Sequence, residues 1–491
     1  MNQAESRRKI IKQLVLGGFG IYLVGCSSPE MENTDIEPIP EKNQDTEEEE
    51  TVPLIPNVTY FKKENEAFGA LAEYFNLHTL KVPLIISLVE NELGVAEAIA
   101  FAKEHNLPVS VKSGGHSFEG FSSNDGGMVI NTSLLKSKTW DGTKLTVGPA
   151  VLLKELYDET LPKGRIVPAG SCGTVGIGGL ALGGGYGFFA RKYGLTCDNL
   201  IAATLVDGNG KMHSLSANDE GLWALRGGGN GNFGVVTSMT FQTHPAPTHF
   251  VYFRFKAFKL TADRAQIILE TWFSLTTNLP ESCFSAFVLN GSSLTILITN
   301  FEEVSPALTA MIDGLTQATD KQSKGTATDV AKHLQNYYGI QHPIYFKNAS
   351  AGYYQSFNDI QGCITEVLEK VTTTPGLIYQ VNTLGGKIND PAFTQGSCYP
   401  HRSYGYLSEL QSYWNKDQIA KRDQYLKVFE EIQTLFFQNG NRRQYRNYPS
   451  IGFTHWEQAY FDVNYDRLQR IKRKYDPKDI IRHPQSIRLK T

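Results

Sequence analysis

Two side chains able to react near neutral pH, one histidine and one cysteine, sit in stretches that carry almost no other side chains. His116 closes Lys112-Ser113-Gly114-Gly115-His116-Ser117, and Cys172 lies within Pro168-Ala169-Gly170-Ser171-Cys172-Gly173-Thr174-Val175-Gly176-Ile177-Gly178-Gly179. Paired glycines let the backbone approach a ligand closely while the imidazole points into it. By itself such a histidine also serves as an ordinary hydrogen-bonding turn residue. The second segment continues into Gly183-Gly184-Gly185-Tyr186-Gly187, and a third, Arg226-Gly227-Gly228-Gly229-Asn230-Gly231-Asn232-Phe233-Gly234, follows. Eighteen of the 45 glycines fall between Arg165 and Val235, whereas average usage over the whole chain gives about 34. Successive glycines expose N–H groups that can form a concavity for a pyrophosphate. The pattern is not the dinucleotide-binding GxGxxG that opens a helix after a strand, and there is no Walker A sequence. Each segment alone reads as a tight turn; three of them around one Cys and one His read as a cradle.

The elements that must position these residues follow from periodicity. Pro83 to Leu88 reads as a buried strand, and Glu92 to Asn106 carries helical spacing with Val95, Ile99, Phe101 and Ala102 on one side. Val109-Ser110-Val111 is a strand that runs straight into Gly114-Gly115-His116. Farther on, Phe250–Phe255, Phe284–Asn290 and Leu294–Asn300 alternate as strands, with helical stretches between them, which predicts an antiparallel sheet backed by helices. In Ile378-Tyr379-Gln380-Val381-Asn382 alternation puts Gln380 and Asn382 on one face.

At 491 residues, with 41% hydrophobic and 20% charged residues, the chain is globular and long enough for two or three domains. A formal charge of -3 gives no global basic field, so nucleic acid is not expected as a partner. Six cysteines without a CxxC pair are too sparse for a disulfide scaffold. Arg7, Arg8 and Lys9 precede a short apolar run, Leu14 to Gly25, about half the ~20 residues of a transmembrane helix. It reads as a signal peptide whose basic part resembles a twin-arginine export signal, a route associated with proteins folded around a cofactor before export. Leu23-Val24-Gly25-Cys26 resembles a lipobox, which implies an exported bacterial lipoprotein anchored to the membrane through Cys26. The acidic stretch 27–53 cannot bury a core and is expected to be a disordered tether.

From about Lys81 to Leu489 the chain resembles the berberine bridge enzyme-like flavoproteins, of the vanillyl-alcohol-oxidase type with a PCMH-type FAD domain. The resemblance rests on Ser113-Gly114-Gly115-His116-Ser117, Ala169-Gly170-Ser171-Cys172-Gly173-Thr174-Val175-Gly176, Leu222-Trp223-Ala224-Leu225-Arg226-Gly227-Gly228-Gly229 and Tyr445-Arg446-Asn447-Tyr448-Pro449. The closing segment from Asn464 through Tyr475-Asp476-Pro477 to Gln485-Ser486-Ile487 also matches. It implies an α+β protein: a two-part PCMH-type FAD-binding domain at 54–244, a substrate-binding domain with an antiparallel sheet backed by helices at 245–438, and a segment at 439–491 completing the FAD domain.

The resemblance also implies residue roles. His116 holds the position bonded to the 8α carbon of the flavin, and Cys172 the position that adds a second bond at carbon 6, making the FAD bicovalent. Gly114, Gly115, Ser117, Gly170, Thr174, Val175, Gly176, Gly179, Gly234, Val236 and Asn447 complete the implied cofactor-binding set. Val175 resembles the oxygen gate, where a small β-branched residue favours access of O2. Tyr445, of the Y-x-N segment, corresponds to the base that takes a hydroxyl proton. A tyrosine ionises near pH 10, so it must be lowered by cations or hydrogen bonds, and Arg402, Arg442, Arg443 and Arg446 are the nearby arginines. Gln380 stands where alkaloid-cyclising members have glutamate, which argues against ring closure; Asn382 stands where some sugar-oxidising members have aspartate. Tyr186 aligns with an active-site tyrosine of sugar oxidases, while Phe118 replaces a frequent tyrosine and can stack but not hydrogen-bond. Cys197, Cys283, Cys363 and Cys398 match no motif and read as packed thiols, and Trp414 and Trp456 read as core residues before sugar-stacking ones. The implied activity is an FAD oxidase acting on an alcohol, a carbohydrate anomeric hydroxyl foremost, with O2 reduced to hydrogen peroxide. The alternatives are a dehydrogenase passing electrons to a quinone or other acceptor, and a non-catalytic glycan-binding lipoprotein.

Overall fold

The computed structural model describes residues 56–490. The expected signal peptide, the expected lipidation at Cys26 and the expected acidic tether fall on residues outside the described ones.

Three main sheets carry the chain. In the first, Val58–Phe61, Ile85–Val89, Met128–Asn131 and Val109–Lys112 lie side by side in that order, the last three parallel. Ile85–Val89 is buried along its whole length, as a strand covered on both faces must be. The helix Glu92–Glu104 starts on an Asn91 side chain that accepts from the Gly94 N–H, a cap that satisfies one of the helix's free donors. It packs Val95, Ala98, Ile99 and Ala102 on the sheet with no exposed surface. The second sheet is antiparallel and runs Lys138–Asp141, Lys144–Val147, Gly234–Gln242, Leu200–Asp207, Met212–Leu215.

The third sheet has seven antiparallel strands, in the order Lys321–Ala327, Phe250–Ala257, Ser293–Asn300, Cys283–Asn290, Leu377–Thr383, Tyr406–Trp414, Tyr345–Tyr354. The alternation read from the sequence decides its two faces. Phe287, Leu289, Tyr379, Val381, Tyr406 and Leu410 pack with Trp272, Phe273, Leu368 and Phe436 of the helices Ala262–Thr276, Ile364–Thr372 and Ile419–Gln438. Phe284, Ala286, Val288, Gln380, Asn382, Glu409, Gln411 and Tyr413 point the other way, into a cavity. Trp414 and Trp456, each 4% exposed, belong to the cores and are not available to stack on a ligand.

The C-terminal residues return to the first sheet. Val109 N–H donates to the Ile480 carbonyl, and Ile480 and Ile481 join the core under the parallel strands. Lys472, with no exposed surface, donates to the carbonyls of Asn232 and Ile481 and pairs with Asp476 at 2.7 Å. The ammonium thereby ties the third glycine turn to the chain end, each of its protons satisfied.

Candidate active site

The cavity, about 520 Å³, lies between the glycine-rich turns and the open face of the seven-stranded sheet, within the range of small-molecule and cofactor sites. All but one of the residues given a cofactor-binding or catalytic role from the sequence line it: Gly114, Gly115, His116, Ser117, Gly170, Cys172, Val175, Gly176, Gly179, Tyr186, Gly234, Val236, Gln380, Asn382, Tyr445 and Asn447. Thr174 does not. Its side chain lies 3.9 Å from the Cys172 sulfur and its backbone hydrogen-bonds His116, so it supports both from behind.

Glycine is required where two turns meet. A β-carbon at Gly114 would lie 2.4 Å from the Gly176 nitrogen, and Gly115 is left-handed at φ 70°. Any side chain at Gly114 would push the His116 turn off the Cys172 turn. Gly183 makes the same room for Asn447, whose Oδ1 would be 2.0 Å from an added carbon.

His116 stacks on Phe75 with ring centres 4.0 Å apart. Burial pushes its pKa down to about 4, outweighing the Thr174 hydrogen bond, so the imidazole is neutral at pH 7 and keeps a free lone pair. Cys172 is half-buried. Burial raises its pKa against weaker hydrogen bonds from Thr174 and Val175, which keeps it a thiol. Cys197, Cys283 and Cys398 have no exposed surface and Cys363 is 8% exposed; all four are free thiols whose ionisation burial opposes.

Opposite the two turns runs a continuous polar chain. Gln411 Nε2 donates to Gln380 Oε1 at 3.0 Å, Gln380 Nε2 to Asn382 Oδ1 at 2.8 Å, and Asn382 Nδ2 to the Tyr186 hydroxyl at 3.1 Å. The Tyr186 and Tyr448 hydroxyls are 2.7 Å apart. Hydrogen bonding from Tyr448 and Gln411 favours the charged form of Glu409, and Gln411 Nε2 lies 3.2 Å from Glu409 Oε2. Burial outweighs both and pushes the Glu409 carboxyl up to about 8. Glu409 faces Gln380 directly across neighbouring strands. Tyr413 extends the network to Gln411 and Asn348. Phe118 stacks on Tyr448 with ring centres 5.2 Å apart and planes 9° apart.

Tyr445 lies beside this chain. Its hydroxyl accepts from the Gly185 N–H at 2.8 Å and from Asn447 Nδ2 at 3.1 Å, donors that favour a phenolate, but burial raises its pKa well beyond them. The arginines expected to lower it are engaged elsewhere, which corrects that expectation. Arg402 forms a bidentate pair with Asp198 at 2.7 and 2.5 Å, Arg443 bonds Asp462 at 2.9 Å, Arg442 lies over Phe437, and Arg446 meets His483. Sequence reading passed over Glu409, Gln411, Tyr413 and the role of Tyr448. The alternation in Ser408-Glu409-Leu410-Gln411-Ser412-Tyr413-Trp414, with an acid at the same parity as two polar residues in a buried strand, was the signal available.

Two family models match the chain: an FAD binding domain over residues 83–216 and a berberine and berberine-like segment over residues 444–488. An uncharacterised FAD-linked oxidoreductase of Bacillus subtilis, YvdP, is 29% identical over 434 residues, covering 82% of this chain and 92% of that one. Berberine bridge enzyme-like 12 of Arabidopsis thaliana is 28% identical over 467 residues, 84% of this chain and 86% of that one. Among solved structures, chitooligosaccharide oxidase superposes with a TM-score of 0.77 at 24% identity, over 88% of this chain and 98% of that one. Berberine bridge enzyme from Eschscholzia californica gives 0.77 at 24%, over 88% and 97%. Glycine turns built for close backbone approach, closed over a polar strand face by the C-terminal segment, define an FAD-binding oxidoreductase fold. The chain carries an FAD binding domain and a berberine and berberine-like segment, and along most of its length it is similar to the berberine bridge enzyme-like FAD-linked oxidoreductases.

Proposed function

We propose that the protein is an oxidase that withdraws hydride from an alcohol carbon, foremost the anomeric carbon of a saccharide, with FAD held by bonds to His116 and Cys172. The observation that carries this is the pairing across one cavity of a neutral His116 and Cys172 with the polar chain from Glu409 to Gln380. FAD held there would supply the hydride acceptor, and O2 as final acceptor would give hydrogen peroxide.

The protein's own part is to hold the alcohol and take its proton. Tyr445 and Glu409 are the two groups suited to it, and Glu409 ionises nearer neutrality, so we assign it the proton, which reaches it through Tyr448. Tyr445, fixed by two N–H donors, positions the substrate oxygen. Gln380 and Asn382 orient Tyr186, and the Phe118–Tyr448 stack offers the apolar face on which a sugar ring lies. The fold likeness to chitooligosaccharide oxidase agrees with a carbohydrate substrate, and Val175 at the cavity wall with oxygen as acceptor.

Screening mono- and oligosaccharides and secondary alcohols with peroxide detection tests the substrate, and stopped-flow reoxidation tests the acceptor. Reduced enzyme that ignores air-saturated buffer but is reoxidised by a quinone would replace the oxidase with a dehydrogenase. A colourless purified protein would leave only a glycan-binding role. Export and lipidation at Cys26 complete the proposal; Cys26→Ala is expected to abolish labelling by radioactive palmitate.

A further inference from the structure

Arg446 is the middle residue of Tyr445-Arg446-Asn447, lines the cavity and is 4% exposed. Its Nη2 meets His483 Nε2 at 3.1 Å and its plane lies over Tyr460, while its Nε has no hydrogen-bond partner. Burial lowers its pKa to about 10, so it remains charged at neutral pH. His483, pushed far down by burial and by Arg446, is neutral; its Nδ1 accepts from the Gln485 N–H and its Nε2 faces the Asn230 carbonyl, so it supplies Arg446 with no negative charge. Among the described residues no carboxylate pairs with Arg446. A buried guanidinium with no counter-ion is costly unless an anion reaches it from the cavity it lines.

The structure also makes room for this cation. A β-carbon at Gly229 would lie 2.7 Å from Arg446 Nε, and Gly229 is left-handed at φ 86°. Asn230 and Gly231, next along the same turn, line the cavity with Arg446, and Asn230 reaches the Gly179 carbonyl at 3.5 Å, joining two glycine turns. Tyr413, by contrast, belongs with the polar chain. We propose that Arg446 is the counter-cation for the phosphates of the bound dinucleotide, a positioning residue set where the second and third glycine turns meet. This rests on the FAD reading above.

The test uses the full chain carrying His116→Ala and Cys172→Ala, so that flavin binds reversibly, and measures Kd for FAD, ADP and riboflavin by fluorescence and calorimetry. Arg446→Met is expected to weaken FAD and ADP at least tenfold and leave riboflavin unchanged. Arg446→Lys, which keeps the charge, is expected to retain most of the ADP affinity. Unchanged ADP binding in Arg446→Met, with or without a shifted flavin potential, overturns the proposal, as does an equal loss for riboflavin. Should Arg446→Met not fold, Arg446→Gln replaces it: weak ADP binding beside a tight lysine variant supports the proposal, and two alike overturn it. A parent that binds no FAD would instead remove the flavin reading itself, taking this proposal with it.

Discussion

The hydroxyls of Tyr186 and Tyr448 lie 2.7 Å apart across 262 residues of sequence. One follows the second glycine turn and the other ends the Y-x-N-Y segment, so this contact joins the cofactor side of the cavity to the C-terminal closure. Through Asn382 on one side and Glu409 on the other, the same pair connects both to the seven-stranded sheet.

His116→Ala is expected to remove one flavin bond and Cys172→Ala the other, each single variant retaining flavin after denaturation and the double variant losing it. Intact mass and fluorescence of the denatured protein decide this. If neither residue carries flavin in the wild type, the assignment is lost.

The Glu409 carboxyl, held near 8, acts as a base only when deprotonated, so the rate of flavin reduction should climb with pH and level off above about pH 8. Glu409→Gln should lower that rate by 10²-fold or more and flatten the profile. A variant that keeps the wild-type pH curve would move the proton to another group.

Tyr445→Phe leaves the Gly185 N–H and the Asn447 amide without their shared acceptor. If Tyr445 positions the substrate oxygen, KM and the reduction rate should both worsen while the pH dependence set by Glu409 survives. Loss of that pH dependence in Tyr445→Phe would make the tyrosine the base.

Glu409 also links stability to pH. Its folded pKa is raised, so the folded state holds the proton more tightly than the unfolded chain and stability should fall as pH rises from about 4.5 to about 8. Glu409→Gln should remove that part of the decline. Thermal unfolding of both proteins at pH 5 and pH 9 measures it, and parallel pH trends would contradict the burial cause.

Arg402 and Asp198 form a nearly buried bidentate pair. Asp198→Asn leaves the guanidinium uncompensated and should destabilise the protein by about 3–5 kcal/mol, seen in denaturant unfolding. A loss below about 1 kcal/mol would show that water or a neighbour replaces the carboxylate.

Local sequence determined the pieces whose physics is local. The glycine turns, the strand before Gly114-Gly115-His116, the helix from Glu92 and the alternation that places Gln380 beside Asn382 all follow from chain geometry over a few residues. They placed nearly all the expected residues on one cavity, because close backbone approach needs glycine wherever it occurs. What neighbours each side chain was decided only by the tertiary structure. Sequence proximity suggested that arginines would lower Tyr445, yet each arginine is drawn to a different partner and burial prevails. Only the pairing of Tyr406–Trp414 with Leu377–Thr383 sets Glu409 against Gln380 and Tyr448 in a buried wall where its proton is held to about pH 8. Long-range contact and desolvation govern such pKa values, and neither is a property of a short stretch of sequence.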